Sequence, residues 1–495
     1  MNKKILFSII ILLILSFGLR IAPIIYKGYA PTGAHDNLIL ARNLAETGEY
    51  KLESEKNVVL ASSQVKEKGA VSTFGNKLTI FIEAGIFKIF GFSANLPFFV
   101  SVFMFAITTV LIFLLVLRIF DNFYLALITA LFDIFMPFVW KGSLFAGTYE
   151  FASVFFLLGL LIYFWKKEKN ILLLFLPGLF FGLAIVSRNA FILSVIPIII
   201  YELQVSRSWK KVASFALPVI LIFGAFGFFN NSYLSGADES FSRFGHLFPD
   251  PYTYHYEKDN YIRSIAGSSD PDLSEFQIKY GYDVSLINKV KMYLNSAVFY
   301  PNQAFSIINF GGPFFLFLAF LGGAYLYKEK RELFKFFSLW IILWYIGLVV
   351  LKTNNWDHFL EIRFVVIFLI ALGVWALIKM FGKCIESQRK YILFGVGLVA
   401  FSSFQLFVSN KWMFHESYET SFLPEAMPII EKLEKENIKS DEVIAVSFNQ
   451  GAPLLFNYYL DKNFIYFAPE TIEKLKKEGK LEEIFSDFSI TRFVE

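Results

Sequence analysis

Residues 1–50 read MNKKILFSIIILLILSFGLRIAPIIYKGYAPTGAHDNLILARNLAETGEY. The stretch 5–26 is predominantly apolar. It is long enough to cross a hydrocarbon core of about 30 Å at about 1.5 Å per helical residue. Lys3 and Lys4 precede it, and 5–17 runs on without a small-residue cleavage site, so it is expected to be an uncleaved first span. The chain then turns polar. From His35 to Ala45, Leu38, Leu40, Ala41, Leu44 and Ala45 recur at helical spacing, and Thr47, Gly48 and Glu49 end the pattern. Gly33 and Asp36 open this short helix directly after the span, which sets a carboxylate at the membrane surface near a helix N-terminus.

The composition agrees with a chain dissolved mainly in lipid. Of its 495 residues 56% are hydrophobic, 62 are Phe and 18% are charged, against about 45–50% apolar and about 25% charged in soluble domains. The formal net charge of +4 comes from 46 basic and 42 acidic residues, too balanced for a nucleic-acid partner. The single cysteine, Cys384, excludes an internal disulfide and has no second thiol for a metal site. Ten more apolar runs follow the first, at 96–119, 123–140, 149–165, 171–186, 190–203, 212–229, 305–327, 336–351, 364–381 and 391–408. An α-helical polytopic membrane protein of about eleven spans is expected.

With the N-terminus inside, every basic cluster falls on one side: Lys3/Lys4, Arg118, Lys166/Lys167/Lys169, Arg207/Lys210/Lys211, Lys328/Lys330/Arg331/Lys335 and Lys383/Arg389/Lys390. That sidedness needs a tight outer turn at Ser187/Arg188/Asn189. It sends three long polar segments outward, 27–95, 230–303 and 409–495, with all five histidines: His35, His246, His255, His358 and His415. The chemistry is therefore expected on the outer face of the plasma membrane. Residues 77–91 read as a helix lying in the interface. A further amphipathic helix is expected over 286–299, and Tyr252, Tyr254 and Tyr256 either offer ring faces to a sugar or pack at the headgroup boundary. The tail alternates helices (424–436, 453–460, 470–485) with strands (443–448, 464–467) and carries 16 acidic and 10 basic residues from Ser409, the pattern of a small solvated α/β layer. The division expected is a membrane domain over 1–408 and an extracytoplasmic α/β domain over 409–495.

The ordered set TGAHDNLILARNLAETGEY (32–50), FIEAGIFKIFG (81–91), PGLFFGLAIVSRNAFILSVIP (177–197) and HFLEIRFVVIFLIALG (358–373) resembles the polytopic GT-C glycosyltransferases that use lipid-linked sugars. The branch holding protein O-mannosyltransferases and lipid A aminoarabinose transferases is the most similar. Asn37 stands where relatives often carry a second acid, a proline pair usual near Lys77 is missing, and the Trp-Trp-Asp motif of oligosaccharide transferases is absent.

The resemblance implies a polyprenyl-phosphate-linked sugar donor at the outer leaflet, an acceptor that is a lipid, glycan or protein, and transfer with inversion. It implies Asp36 as general base and Arg363, Arg188 and Lys77 on the donor phosphate. His358, His35 and Tyr256 are the candidates for contacting substrate. The competing readings are a plain capping role for Asp36 and interfacial snorkelling for the arginines. No His-x-x-x-His or His/carboxylate repeat supports a metal site, so catalysis without a divalent cofactor is expected. A transporter or flippase, and a surface-polysaccharide polymerase or ligase, are the alternative functions. The spans hold few ionisable residues, Asp133 and Glu150 being the clearest, and only the widely spaced Arg243 and Arg263 could serve a ligase.

Overall fold

The computed structural model describes residues 3–30, 32–33, 35–48, 50, 77–165, 171–233, 286–350, 356–382, 388–418 and most of 423–494. The chain enters as helix α1 (Lys3–Lys27), a two-residue strand β1 (Thr32–Gly33) and helix α2 (His35–Thr47). Gly48 ends α2: its φ of +77° is the left-handed conformation open to glycine, and its amide reaches the Leu44 carbonyl at 3.2 Å. Helices α3 (Lys77–Phe90), α4 (Leu96–Phe120), α5 (Phe123–Phe135) and α6 (Pro137–Ser143) follow. Strand β2 (Phe145–Ala146) then leads to α7 (Glu150–Trp165), α8 (Ile171–Ser187), α9 (Ile192–Ser206) and α10 (Trp209–Tyr233). The second half brings long helices at Leu286–Ala304, Pro313–Glu329, Arg331–Val350, Arg363–Gly382 and Gln388–Tyr418.

All eleven apolar runs fold as helix, but they are not equal. Among the described residues, six helices are long and apolar enough to cross a membrane, or seven if the pair Phe123–Phe135 and Pro137–Ser143, bent by 61°, is one span. The bend has a local cause: Met136 precedes a proline, which disfavours the helical region, and it sits at φ −65°, ψ 121°. Four of the runs, 149–165, 171–186, 190–203 and 305–327, form helices of at most 17 residues, about 26 Å long. Of the about eleven spans expected, six or seven thus have spanning length among the described residues and four are shorter apolar helices. The chain is an integral membrane protein whose shorter apolar helices pack among the long ones.

Packing is aromatic and, where glycines lie at a crossing, backbone to backbone. A Cβ built on Gly322 would lie 1.9 Å from the Leu369 carbonyl oxygen, and one on Gly373 would lie 2.0 Å from that of Leu318. Small residues thus let these two helices touch, as in membrane helix pairs generally. Trp340 is completely buried, with Phe156 and Phe336 against its ring at centroid distances of 5.4 and 5.6 Å.

The two ends of the bundle differ chemically. At one end Lys4 lies 4.0 Å from the Phe123 ring centroid, Arg118 donates to the Phe164 carbonyl at 3.2 Å, and Lys330 donates to the Ile119 carbonyl at 2.8 Å. At the other end α1 emerges, and Ile21, Ile24, Leu38, Phe98, Tyr418 and Tyr458 pack together.

Tyr458 belongs to the tail, which is an α/β layer. Strands β3 (Val443–Ser447), β4 (Asn463–Phe467) and β5 (Ile490–Val494) form a parallel sheet in the order β4-β3-β5, with helices at Leu423–Lys435, Leu455–Leu460 and Leu481–Asp487. Parallel pairing of three strands explains the intervening helices, because each crossover must return along the sheet. The layer rests on α2: the buried Arg42 guanidinium donates to the Tyr458 carbonyl at 3.2 Å, and the Tyr458 hydroxyl donates to the Ala94 carbonyl at 2.7 Å.

Candidate active site

The start of α2 is held by a pairing of minimal length. Thr32 and Gly33 run parallel to Phe145 and Ala146 in register. Asp36 follows β1 by three residues and Tyr149 follows β2 by three, so the two helix entrances lie side by side. Asn37 locks them, donating through Nδ2 to the Gly147 carbonyl at 2.8 Å. The amides of Gly147 and Thr148 donate to the two carboxylate oxygens of Glu150, each at 3.1 Å. This buried acid thus caps the opening of its own helix, where negative charge is favoured.

Tyr149 carries the corner to Arg188. The chain breaks at Arg188 between α8 and the 3₁₀ turn Asn189–Phe191, with extended backbone at φ −151°, ψ 109°. Where a tight turn between two apolar runs was expected, at Ser187/Arg188/Asn189, the helix is interrupted. The guanidinium donates to the Tyr149 hydroxyl at 3.1 Å and to Asp357 Oδ2 at 3.3 Å, and lies 4.6 Å from the centroid of the Tyr149 ring. The first turn of α3 meets the same place, for Thr79 donates to the Ser187 carbonyl at 3.3 Å.

Beneath Arg188, Glu361 is the hub. Its Oε1 takes the Tyr149 hydroxyl at 3.3 Å and lies 2.7 Å from His358 Nδ1; its Oε2 takes the Trp344 indole N–H at 3.2 Å. The Glu361 carbonyl accepts from Ser194, which in turn accepts from Trp340. Burial works against a charged His358, yet the bonded Glu361 and nearby Asp357 carry its pKa above the ordinary 6.5. His358 is thus a carboxylate-paired histidine that braces the Arg188 network.

Arg363 lies apart from this network. It binds Asp133 through Nε and Nη2, and Arg20 joins the same carboxylate at 3.5 Å while donating to the Asp133 carbonyl at 2.8 Å. Thr109 supplies a further bond to Asp133 at 2.6 Å. The side chains of Arg20, Asp133 and Arg363 are 0, 0 and 2% exposed, whereas that of Arg188 is 23% exposed. Of the two arginines expected on a phosphate, only Arg188 has an open face; Arg363 is an internal clamp between α1, α4, α5 and its own helix.

For His35, Asp36 and Lys77 the backbone is described and the side chains lie outside the described atoms; Tyr256 lies outside the described residues. Among the described residues no three His, Cys, Asp or Glu side chains gather to hold a metal ion. Sequence reasoning passed over Tyr149, Trp344 and Arg20. Only Arg20 left a signal, a charge inside an apolar run that demands a buried partner.

The family described as dolichyl-phosphate-mannose-protein mannosyltransferase matches residues 78–229, from α3 through most of α10. A search by sequence of the curated proteins gave no significant match. Among solved structures, the chain is similar to ArnT from Cupriavidus metallidurans bound to undecaprenyl phosphate, with a TM-score of 0.59 and 10% identity over 96% of this chain and 88% of that one. It is also similar to the Archaeoglobus fulgidus oligosaccharyltransferase complex with Zn and sulfate, with a TM-score of 0.55 and 14% identity over 94% of this chain. The oligosaccharyltransferase AglB from Archaeoglobus fulgidus, in complex with an inhibitory peptide and a dolichol-phosphate, gives a TM-score of 0.53 and 12% identity. The chain spans 62% of the length of the first oligosaccharyltransferase structure. The likeness extends over nearly the whole chain in each case, and the protein has the GT-C glycosyltransferase fold.

Proposed function

We propose that this protein is a glycosyltransferase that moves a sugar from a polyprenyl-phosphate carrier to an acceptor at the outer face of the plasma membrane, with inversion. The observation that carries the reading is the meeting of three helix ends: the start of α2 with Asp36, the first turn of α3 with Lys77, and the partly open, doubly anchored Arg188. ArnT with undecaprenyl phosphate and AglB with dolichol-phosphate share this fold, which supports a lipid-linked donor.

In this reading Asp36 takes the proton of the acceptor hydroxyl or amine as its oxygen or nitrogen attacks the anomeric carbon from the face opposite the phosphate. The bond from that carbon to the phosphate oxygen breaks, and the electron pair leaves with the polyprenyl phosphate. Arg188, together with Lys77, stabilises the charge gathering on the departing phosphate; a guanidinium forks onto two oxygens. Arg363 gives up the place first assigned to it, because Asp133 already occupies two of its nitrogens. Its role is to fix the helix that begins directly after the His358–Glu361 turn. His35 and Tyr256 remain substrate contacts in this proposal, and no step requires a divalent ion.

The N-terminus lies inside and the α/β layer outside. Gathering Lys4, Arg118 and Lys330 at the end opposite the layer supports that orientation. The test is transfer of radiolabelled sugar from a panel of polyprenyl-phosphate sugars to an envelope extract by purified protein. Wild-type transfer that falls at least about 10²-fold in Asp36→Asn is expected; undiminished transfer in that variant removes the base assignment.

A further inference from the structure

Helix α3 lays an apolar stripe, Ile80, Ala84 and Phe87, against Leu40 and Ala41 of α2. One residue of that stripe is a carboxylic acid. Glu83 is 1% exposed, and neither of its carboxyl oxygens has a hydrogen-bond partner among the described residues. Its neighbours identify the place: it lies within electrostatic reach of Glu150 and of Tyr458. Glu150 already has both oxygens satisfied by Gly147 and Thr148, so it offers Glu83 no donor. At Gly147 too, Asn37 spends its amide N–H on the carbonyl and leaves Oδ1 buried and, among the described residues, without a partner.

Glu83 and Asn37 thus flank the Gly147–Glu150 turn beside the start of α2, and among the described residues their three buried oxygens have no donor. Native proteins pair such atoms, and an unpaired buried polar group costs free energy that selection removes unless a ligand supplies the partner. Resting on the transferase reading above, we infer that Glu83, with Asn37, binds ring hydroxyls of the sugar being transferred and selects which sugar the site accepts.

A hydroxyl both donates and accepts, which suits this set. Burial, with Glu150 close by, raises the Glu83 carboxyl well above the ordinary glutamate value of 4.5. A protonated carboxyl can donate one bond and accept another but attracts a cation weakly, which favours a neutral polyol over an ammonium group or a metal ion. A polar contact of this kind discriminates strongly, because a sugar lacking the matching hydroxyl leaves the acid unpaired again.

The experiment measures binding of bare undecaprenyl phosphate and of undecaprenyl-phosphate carriers bearing mannose, glucose, galactose or arabinose to purified wild type, Glu83→Gln and Glu83→Leu. Wild type is expected to hold at least one sugar carrier tenfold or more tighter than the bare lipid. Glu83→Leu is expected to lose that preference while its affinity for the bare lipid stays within about twofold, which also shows that it is folded. Glu83→Gln, of the same shape, is expected to keep part of the preference and to change the ranking of the sugars. A wild type with no sugar preference overturns the transferase reading itself. A preference that survives intact in Glu83→Leu overturns only this inference, as does a preference that appears only when Mg²⁺ or Ca²⁺ is added. Should Glu83→Leu fail to fold, Glu83→Gln decides: an unchanged ranking and preference overturns the inference.

Discussion

At the scale of single residues, the site rests on how one cation is held. Arg188 has a hydroxyl and a carboxylate on one nitrogen and keeps an open flank. Arg188→Ala is expected to lower kcat/KM by about 10²- to 10³-fold, the usual cost of removing one transition-state donor, with Arg188→Lys recovering part because an ammonium is charged but cannot fork. A steady-state transfer assay checks both. His358 gives a pH prediction with a definite sign. Its folded pKa lies above its unfolded value of about 6.5, so its pairing with Glu361 stabilises the fold fully below that pH and is lost as pH rises through the folded value. Thermal unfolding in detergent should show wild type gaining most over His358→Gln in mildly acidic buffer, with the gap closing on the alkaline side. Much of this was legible beforehand: Arg188 sits where a turn between two apolar runs was expected, and His358 in the connection that opens the next run. Tyr149 and Trp344 were not, because an aromatic at a helix end in a chain with 62 Phe carries no signal until its hydroxyl or indole N–H is seen to point at a carboxylate.

Among the elements, the membrane helices were legible from apolar runs alone, since lipid enforces helix on any such run. Their lengths and partners were not. Arg20 and Asp133 lie 113 positions apart, and nothing local in either run names the other. Their cluster with Arg363 holds one acid between two guanidiniums. Asp133→Ala should cost about 3–5 kcal/mol by leaving two buried cations with no acid between them, seen as a large fall in Tm of the detergent-solubilised protein. The pairing of β1 with β2 escaped reading because two residues show no alternation. Strand β5 escaped as well. The sequence ITRFV at the end of the tail was assigned no element, whereas β3 and β4 stood out as apolar strands between turns. The helix expected over 470–485 is described as helix at Leu481–Asp487.

For the whole molecule, the α/β layer and the site share one end of the bundle, joined through Arg42, Tyr458 and Ala94. The proposed orientation predicts that a membrane-impermeant maleimide labels K432C, in a Cys384→Ser background, from outside sealed cells. Cys384 in the unaltered protein should label only after the membrane is opened. Lys432 is well exposed, so silence at that position in sealed cells would reverse the orientation. The fold class was legible because it is written in composition and charge sidedness over hundreds of residues. The division of labour between Arg188 and Arg363 was not, since both stand at helix entrances and only packing separates a sealed clamp from an open hand.

The most direct measurement is a cryo-EM map of the purified protein with undecaprenyl phosphate. The account predicts phosphate density within hydrogen-bond reach of Arg188, facing the first turns of α2 and α3. Phosphate found instead on the far side of the Asp133–Arg363 cluster, or at the basic end by Lys4 and Arg118, would contradict it.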